Sequence, residues 1–283
     1  MRNYGLDLKK EELDQKETDW MFGAADIPCL TDGVLSVDFF ELLNFLPVGE
    51  VQQGKEDMMD CATRSPINNV ETKLNILLRA GKLPHEDWFR KKGYIVSGPK
   101  GDTFALSDAF IAILSGTTKF GNSIKAPIDA IRKRGLIPKS MLPLQSWMTW
   151  DDYHDPSRIT GTMYALGQEF LSKITINYQR VPATQFKEAL DRDMLCVGGH
   201  AWPTPKDKEY PRTEAPFNHA WLNMFPNIFC FDNYIDSVDG DFVKKLAPDY
   251  LFYDHGYRIV LGLGKKENWW DFIFRLIPWK SQK

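Results

Sequence analysis

The sequence lacks the features that mark a membrane, secreted or nucleic-acid-binding protein. No apolar run reaches 18 residues, so we expect no transmembrane helix. The first 19 residues, MRNYGLDLKKEELDQKETD, contain no apolar core and do not resemble a secretory signal. Because 35 Lys and Arg face 38 Asp and Glu, the net charge is only −3, which argues against an extended nucleic-acid surface.

Cysteine is scarce as well, and its spacing argues against a disulfide framework or a zinc site. The four cysteines (Cys29, Cys61, Cys196 and Cys230) are far apart in 283 residues and form no CxxC pair. A reducing compartment such as the cytoplasm is therefore expected. Cys196 and His200 are four residues apart, but no second ligand pair lies nearby, so we expect neither zinc nor another cofactor.

What the chain does contain is a large apolar fraction whose pattern changes along its length. Hydrophobic residues make up 43% and aromatic residues 13%, as in a globular protein with a substantial core. Apolar residues recur at helical intervals through 67–79, and helices are also predicted around 108–116, 126–135, 160–172 and 184–192. Later apolar runs are short or alternating, at 195–202, 219–225, 228–234, 250–256 and 257–263, which is typical of strands. Helices before strands predict an α+β chain with two lobes.

These patterns divide the chain into four segments. We predict an N-terminal arm at 1–45, a helical lobe at 46–155, a β lobe at 156–263 and an aromatic tail at 264–283. Exposed aromatic residues usually mark protein contacts, so the tail is expected to dock on its own chain or on a neighbouring subunit. Arm and tail together predict a homo- or hetero-oligomer, and binding of 265–283 to a membrane surface is a weaker hypothesis.

Of the four cysteines, Cys61 is the candidate nucleophile. It lies just before the helical pattern of 67–79, and a helix N-terminus stabilises a thiolate. The sequence leaves the start of this helix open. The helix begins either at Cys61 or at Pro66 with Ser65 as its N-cap, and the second choice sets the thiol one turn outside.

Other residues of the sequence are candidate partners for a thiol nucleophile at Cys61. Gln52 or Gln53 is a candidate amide donor to a developing oxyanion. His219 begins one predicted strand and is a candidate base for the Cys61 thiol, while Asp232 or Asn233 ends the next strand.

Two alternatives remain within this set. Asp232 is preferred to Asn233 because Asp orients the imidazole in many triads. His200 is a second candidate base, but it precedes a Pro-rich loop and lacks a following strand with Asn or Asp beside an aromatic residue, so His219 is preferred.

The order Gln, Cys, helical lobe, His, then Asp or Asn resembles the papain-like cysteine peptidases, in particular divergent bacterial and bacteriophage members. The resemblance runs from about Leu46 to Leu263 and includes the segments GNSIKAPIDAIRKRGLIPKSMLP and ATQFKEALDRDMLCVGGHAW. It implies a helical lobe and an antiparallel, β-barrel-like lobe with the active site between them. It also implies Tyr234 as the aromatic residue that shields the histidine.

The function implied by this resemblance is cleavage of an amide bond in a peptide or in peptidoglycan, bound in the groove between the lobes. The alternative is a catalytically weak or inactive scaffold that serves as a structural component of a phage virion. The expected location is therefore the host cytoplasm or the virion. No inhibitory prosegment is expected, because the first 45 residues are short and ordinary.

Overall fold

The computed structural model describes residues 5–16, 19–24, 28–32, 39–49, 51–201, 209–224, 229–234 and 242–264. The predicted aromatic tail lies outside these residues from position 265 onward. The described helices are α1 (Leu8–Asp14), α2 (Phe39–Phe45), α3 (Cys61–Arg79), α4 (Glu86–Lys91), α5 (Asp108–Leu114), α6 (Lys125–Arg134), α7 (Trp150–Tyr153), α8 (Gly161–Lys173) and α9 (Phe186–Leu190). Short 3₁₀ turns occur at Lys139–Met141, Pro156–Arg158 and Ala183–Gln185.

The strands form a small hairpin and one large sheet. The hairpin pairs β1 (Ile95–Gly98) with β2 (Gly101–Phe104). The remaining strands are β3 (Ile174–Pro182), β4 (Leu195–Gly199), β5 (Glu209–Tyr210), β6 (His219–Met224), β7 (Phe229–Phe231), β8 (Val243–Leu246) and β9 (His255–Leu263). They form a seven-stranded sheet of order β3-β9-β4-β6-β7-β8-β5, antiparallel except for the β5–β8 pair.

The prediction of an α+β fold with helices first and an antiparallel-rich sheet second is confirmed. In the part of the chain that is described, β3 and β5 are the edges of the sheet, which does not close into a barrel. The boundaries proposed for the four segments stay predictions.

Helix α3 is the central helix and begins at Cys61. Every side chain from Cys61 to Leu78 is buried, since the helix is enclosed by the hairpin, by α5 and α6 and by the large sheet. Pro66 lies inside the helix, where it has no N–H to donate to the carbonyl of Ala62, yet packing on all sides keeps the helix continuous. Of the two starts that the sequence left open, the structure therefore has the one at Cys61.

Two parts of the strand pattern were predicted wrongly. The run 250–256 is a loop up to Asp254, because Tyr250 and Tyr253 are buried by packing against neighbouring aromatic rings rather than by strand pairing. Strands β3 and β8 were not predicted. Their inward faces include polar or charged side chains such as Gln179 and Lys244, which are buried although the sequence pattern assigns them to solvent.

The described part of the N-terminal arm packs against the body of its own chain. Asp7 caps α1, and the buried Glu11 accepts hydrogen bonds from the Tyr257 hydroxyl at 2.5 Å and the Ile124 N–H at 2.6 Å. Oε1 of Glu11, the oxygen that accepts from Tyr257, also lies 2.9 Å from Nε2 of His255. This first helix is therefore fixed to both the helical region and the large sheet.

Among the described residues, no helix combines the length and the apolar composition needed to cross a bilayer.

Candidate active site

Cys61 is the first residue of α3, and Asp60 is its N-cap. Unpaired N–H groups and the positive end of the helix dipole therefore lie next to the thiol. The side chain has no solvent exposure. A hydrogen bond of 2.7 Å from Ser65 Oγ to the carbonyl of Trp221 fixes the first turns of α3 against β6.

Strand β6 brings His219 to this helix end, and the turn after β7 brings Asp232 to His219. The β6–β7 register pairs Leu222 with Phe231, so one further step sets Asp232 opposite Trp221. His219 is then the diagonal neighbour of Asp232 on one face of the sheet. Nε2 of His219 lies 2.6 Å from Oδ1 of Asp232.

The His219 side chain and the Ala220 backbone N–H both act to lower the pKa of the Cys61 thiol, which is raised by burial, so both groups lie close to the thiol. Because Nε2 of His219 faces Asp232, Nδ1 is the ring nitrogen left to exchange a proton with the thiol. Sequence reasoning selected these residues from positions 158 apart (219 − 61), and the fold brings them together.

The carboxylate of Asp232 is buried but fully hydrogen-bonded. Besides His219, Oδ1 accepts from the backbone N–H of Asn233 at 2.5 Å and of Tyr234 at 3.2 Å. Oδ2 accepts from the Tyr210 hydroxyl at 2.5 Å. Such donors stabilise a charge that would otherwise be costly to bury.

Asn233 faces helix α3 rather than His219. Its Oδ1 accepts a hydrogen bond of 3.2 Å from Nδ2 of Asn68, and its carbonyl accepts one of 3.2 Å from the backbone N–H of Gln52. Of the two orienting residues that the sequence offered, Asp232 is thus the one in contact with the imidazole.

The two glutamines differ in burial and in direction. Gln52 is buried, and its Nε2 donates to Oδ1 of Asp57 at 3.0 Å and to the Tyr234 hydroxyl at 2.8 Å. Gln53 is exposed. Tyr234 also links Gln52 to the imidazole, since its ring centroid lies 5.1 Å from that of His219. Of the two glutamines, Gln52 is therefore the one whose amide is buried beside Tyr234, the neighbour of His219.

Three pKa shifts describe the electrostatics of the site. Burial raises the pKa of the Cys61 thiol above its ordinary value, and the neighbouring His219 only partly opposes this. Burial by itself would lower the pKa of His219, but the charge of Asp232 and the contact with Cys61 raise it well above the ordinary value. Burial would raise the pKa of Asp232, whereas His219 lowers it. Asp232 thus stabilises the imidazolium that would form if His219 accepted the thiol proton, whereas burial disfavours the thiolate; entry of water or substrate would ease that burial.

His200, the second candidate base, lies at the end of β4. Its Nδ1 is 2.7 Å from the carbonyl oxygen of Pro216, and its backbone N–H donates to the Tyr250 hydroxyl at 2.7 Å. These contacts fix the loop after β4. None of the contacts described for His200 reaches Cys61.

The site is closed in this structure. Cys61, His219 and Asp232 each have no solvent exposure. Two cavities of about 590 and 440 Å³ lie beside the hairpin, and the smaller one is lined by Asn68 and Asn233. Among the described residues, neither cavity is lined by the three buried groups, so the nucleophile does not open into either.

Two residues of this site were not found from the sequence. Tyr210 reaches Asp232 through the parallel pairing of β5 with β8, which no local pattern signals. Asp57 lies four residues before Cys61, and only its position in a loop between a candidate glutamine and a candidate nucleophile could have pointed to it. Within the described chain, no group of three or more His, Cys, Asp or Glu side chains is arranged to hold a metal ion.

Neither a protein-family model nor a curated protein matches the sequence. Solved structures with a similar fold include xylellain, a cysteine protease from Xylella fastidiosa, at a TM-score of 0.48 and 14% identity, covering 89% of this chain and 98% of that chain. A structure from work on the mite allergens Blo t 1 and Der p 1 gives a TM-score of 0.49 and 8% identity, covering 90% and 78%. Digestive procathepsin L 3 of the Tenebrio molitor larval midgut gives 0.44 and 11%, covering 91% and 76%. Because these TM-scores are below 0.5, the chemistry of this chain is inferred from its own site geometry.

Proposed function

We propose that the protein is a papain-like cysteine peptidase, a thiol hydrolase that cleaves an amide bond in a peptide or in peptidoglycan. The observation that carries the proposal is the buried pair of His219 and Asp232, whose Nε2 and Oδ1 lie 2.6 Å apart, next to the Cys61 thiol, whose pKa His219 acts to lower against the effect of burial. A thiol at a helix start, an imidazole and a buried carboxylate in this order are the parts of a nucleophile, a base and an orienting group.

In the proposed reaction, Nδ1 of His219 takes the thiol proton and Sγ of Cys61 bonds to the amide carbonyl carbon. The charge that develops on the carbonyl oxygen is stabilised by the Gln52 amide and the Cys61 backbone N–H. His219 then returns the proton to the departing amine, and the C–N bond breaks to leave a thioester. Water, deprotonated by His219, attacks the thioester, which releases the acid and restores the thiol.

Asp232 holds the imidazole in one orientation throughout these steps. Its bond to Nε2 fixes the tautomer in which Nδ1 faces the thiol, and its charge stabilises the imidazolium that forms. The donors from Tyr210 and from two backbone N–H groups keep the carboxylate itself in place.

The pH dependence of Cys61 alkylation by iodoacetamide, read by mass spectrometry, tests the proposal. The three other cysteines are buried and serve as internal references within the same sample. Burial raises the pKa of the Cys61 thiol and His219 opposes this, so we expect Cys61 to be alkylated faster than the three reference cysteines at neutral pH and to lose this advantage in His219→Ala. Hydrolysis of a peptide pool and of peptidoglycan fragments should cease in Cys61→Ala, while circular dichroism shows an unchanged fold.

A second function, a scaffold without catalysis, is favoured by one observation. All three proposed catalytic side chains are fully buried, and burial raises the pKa of the thiol. A Cys61 that reacts slowly at every pH, with or without His219, and a wild-type chain that hydrolyses neither substrate would support this alternative and contradict the peptidase proposal.

A further inference from the structure

One carboxylate, that of Asp57, is the hydrogen-bond centre of the loop that leads into α3. Its Oδ1 accepts from Nε2 of Gln52 at 3.0 Å and from the backbone N–H of Met59 at 2.9 Å. Its Oδ2 accepts from the Tyr234 hydroxyl at 2.5 Å. The Gln52 amide, the Met59 backbone N–H and the Tyr234 hydroxyl therefore all donate to this one carboxylate.

The bond to Met59 controls how the chain enters the helix. Met59 has a φ of 54°, in the left-handed region that a non-glycine residue rarely adopts. Asp60 and Cys61 follow directly, so the direction of the Cys61 backbone N–H depends on this bend. A conformation of this kind persists only where surrounding bonds hold it, and Asp57 supplies one of them.

The bond to Gln52 controls the other amide near the nucleophile. A glutamine side chain has three rotatable bonds before its amide, and the contact with Asp57 limits their rotation. The loop is closed further by the backbone bond of 2.9 Å from Met58 N–H to the Gln52 carbonyl.

We propose that Asp57 is a positioning residue that holds both donors of the oxyanion site, the Gln52 amide and the Cys61 backbone N–H, in their catalytic arrangement. This inference rests on the proposed function and adds a residue to it. None of the contacts described for Asp57 reaches the thiol, so its proposed effect is transmitted through Gln52 and Met59. Neither Asp60 nor Tyr234 can replace it, because neither bonds to both of these groups.

The same geometry defines what changes when a substrate binds. Nε2 of Gln52 carries two hydrogens, and in this structure they face Asp57 and the Tyr234 hydroxyl. On this proposal, the hydrogen that faces Tyr234 is the one that donates to the oxyanion, and the hydrogen that faces Asp57 keeps the amide in place. The Tyr234 hydroxyl keeps its own bond to Oδ2 of Asp57.

The test compares Asp57→Ala and Asp57→Asn with Lys55→Ala, an exposed position in the same loop. Two reactions of Cys61 are measured for each variant: hydrolysis of a peptide that the wild-type chain cleaves, and alkylation by iodoacetamide. Only hydrolysis builds negative charge on a carbonyl oxygen, so only hydrolysis needs the oxyanion donors. A residue that merely stabilises the loop would alter both reactions together.

We expect Asp57→Ala to lower kcat by about ten- to a hundredfold with little change in KM, since removal of one oxyanion donor costs about a hundred- to a thousandfold. Asp57→Asn keeps one carbonyl oxygen for Gln52 and Met59 and should recover part of this loss. Alkylation of Cys61 should stay within about twofold of wild type in both variants, and Lys55→Ala should match wild type in both reactions.

Other outcomes overturn the proposal. If Asp57→Ala hydrolyses the peptide as fast as Lys55→Ala, or changes KM alone, Asp57 does not position the donors. If alkylation falls as far as hydrolysis, Asp57 supports the nucleophile rather than the oxyanion site. A wild-type chain that hydrolyses nothing contradicts the proposed function and this inference together, whereas an active wild type with an unaffected Asp57→Ala contradicts the inference alone.

Discussion

The residues just before α1 pack against segments next to the closed site, and we expect truncation of the Leu6 side chain to expose the nucleophile. Leu6 pairs with Asn122, with backbone bonds from Asn122 N–H to the Gly5 carbonyl at 3.0 Å and from Asp7 N–H to the Asn122 carbonyl at 2.9 Å. Gly5 has a φ of +108° and packs so closely that a β-carbon there would lie 2.5 Å from the carbonyl oxygen of Met59, two residues before the nucleophile.

Leu6 packs against the large sheet next to the site. A β-carbon on Gly198 would lie 2.9 Å from Cδ2 of Leu6, and Gly198 pairs with Ala220, whose N–H faces the Cys61 thiol. Leu6 itself is only 4% exposed. The residues just before α1 thus pack against both the segment that leads into α3 and strand β4, a placement near the site that no local pattern in the arm predicts.

The size of the effect follows from the burial of Leu6. Leu6→Ala removes three buried carbons, worth about 2 kcal/mol at about 0.8 kcal/mol per methylene. If the segment opens and closes faster than the reagent reacts, alkylation of Cys61 follows the open population. A loss of about 2 kcal/mol then raises that population, and the alkylation rate, about 30-fold.

The matched control is Leu13→Ala, the same substitution on α1 at a side chain that is 83% exposed. Alkylation of Cys61 by iodoacetamide is followed by mass spectrometry, and thermal unfolding is recorded for each variant. Leu13→Ala should react at the wild-type rate. If Leu6→Ala lowers the melting temperature but leaves the alkylation rate unchanged, Leu6 stabilises the whole fold and the reasoning about a local cover is wrong.

Three further outcomes are expected. In steady-state kinetics, Asp232→Ala should lower kcat for peptide hydrolysis by about ten- to a hundredfold, because a charged hydrogen bond contributes about 1.5–3 kcal/mol. The control, Asn233→Ala, should lower kcat much less. Burial would raise the pKa of Asp232, but His219 holds it below the ordinary value, so the carboxylate stabilises the fold above about pH 4 and this contribution is lost on acidification. Urea unfolding of wild type and Asp232→Ala should therefore differ less as the pH falls below about 4. Glu11→Gln should reduce the unfolding free energy by about 1–3 kcal/mol, because buried donors lose a charged acceptor, while the exposed Glu12→Gln should leave thermal unfolding unchanged.

The sequence predicted the parts of the fold that depend on local periodicity. The apolar spacing of 67–79 located the central helix, and the runs at 195–202 and 219–225 located strands β4 and β6. It could not fix the start of α3, because Pro66 is read locally as a first-turn residue. Burial of the whole helix decides otherwise, and burial depends on distant segments such as β6.

For the candidate site as well, the sequence predicts which residues take part but not how each side chain is directed in the fold. The chain order of a glutamine, Cys61, His219 and an acidic residue was sufficient to propose which side chains meet. It could not separate Asp232 from Asn233, since adjacent residues in a turn point in different directions only after the turn is formed. Here the backbone N–H groups of Asn233 and Tyr234 fold back onto Asp232, and this fold-back turns the carboxylate to His219.

The choice between Gln52 and Gln53 was open for a related reason. In an irregular loop no periodicity assigns a side chain to the interior, so direction is set by the partners it meets. Gln52 is held inward by Asp57, four residues before the nucleophile, and by Tyr234, 182 residues along the chain. Asp57, which orients the Gln52 amide, is therefore itself held by the hydroxyl of Tyr234, a residue beside the candidate triad. The candidate donor Gln52 and the imidazole of His219 therefore share one neighbour, the side chain of Tyr234.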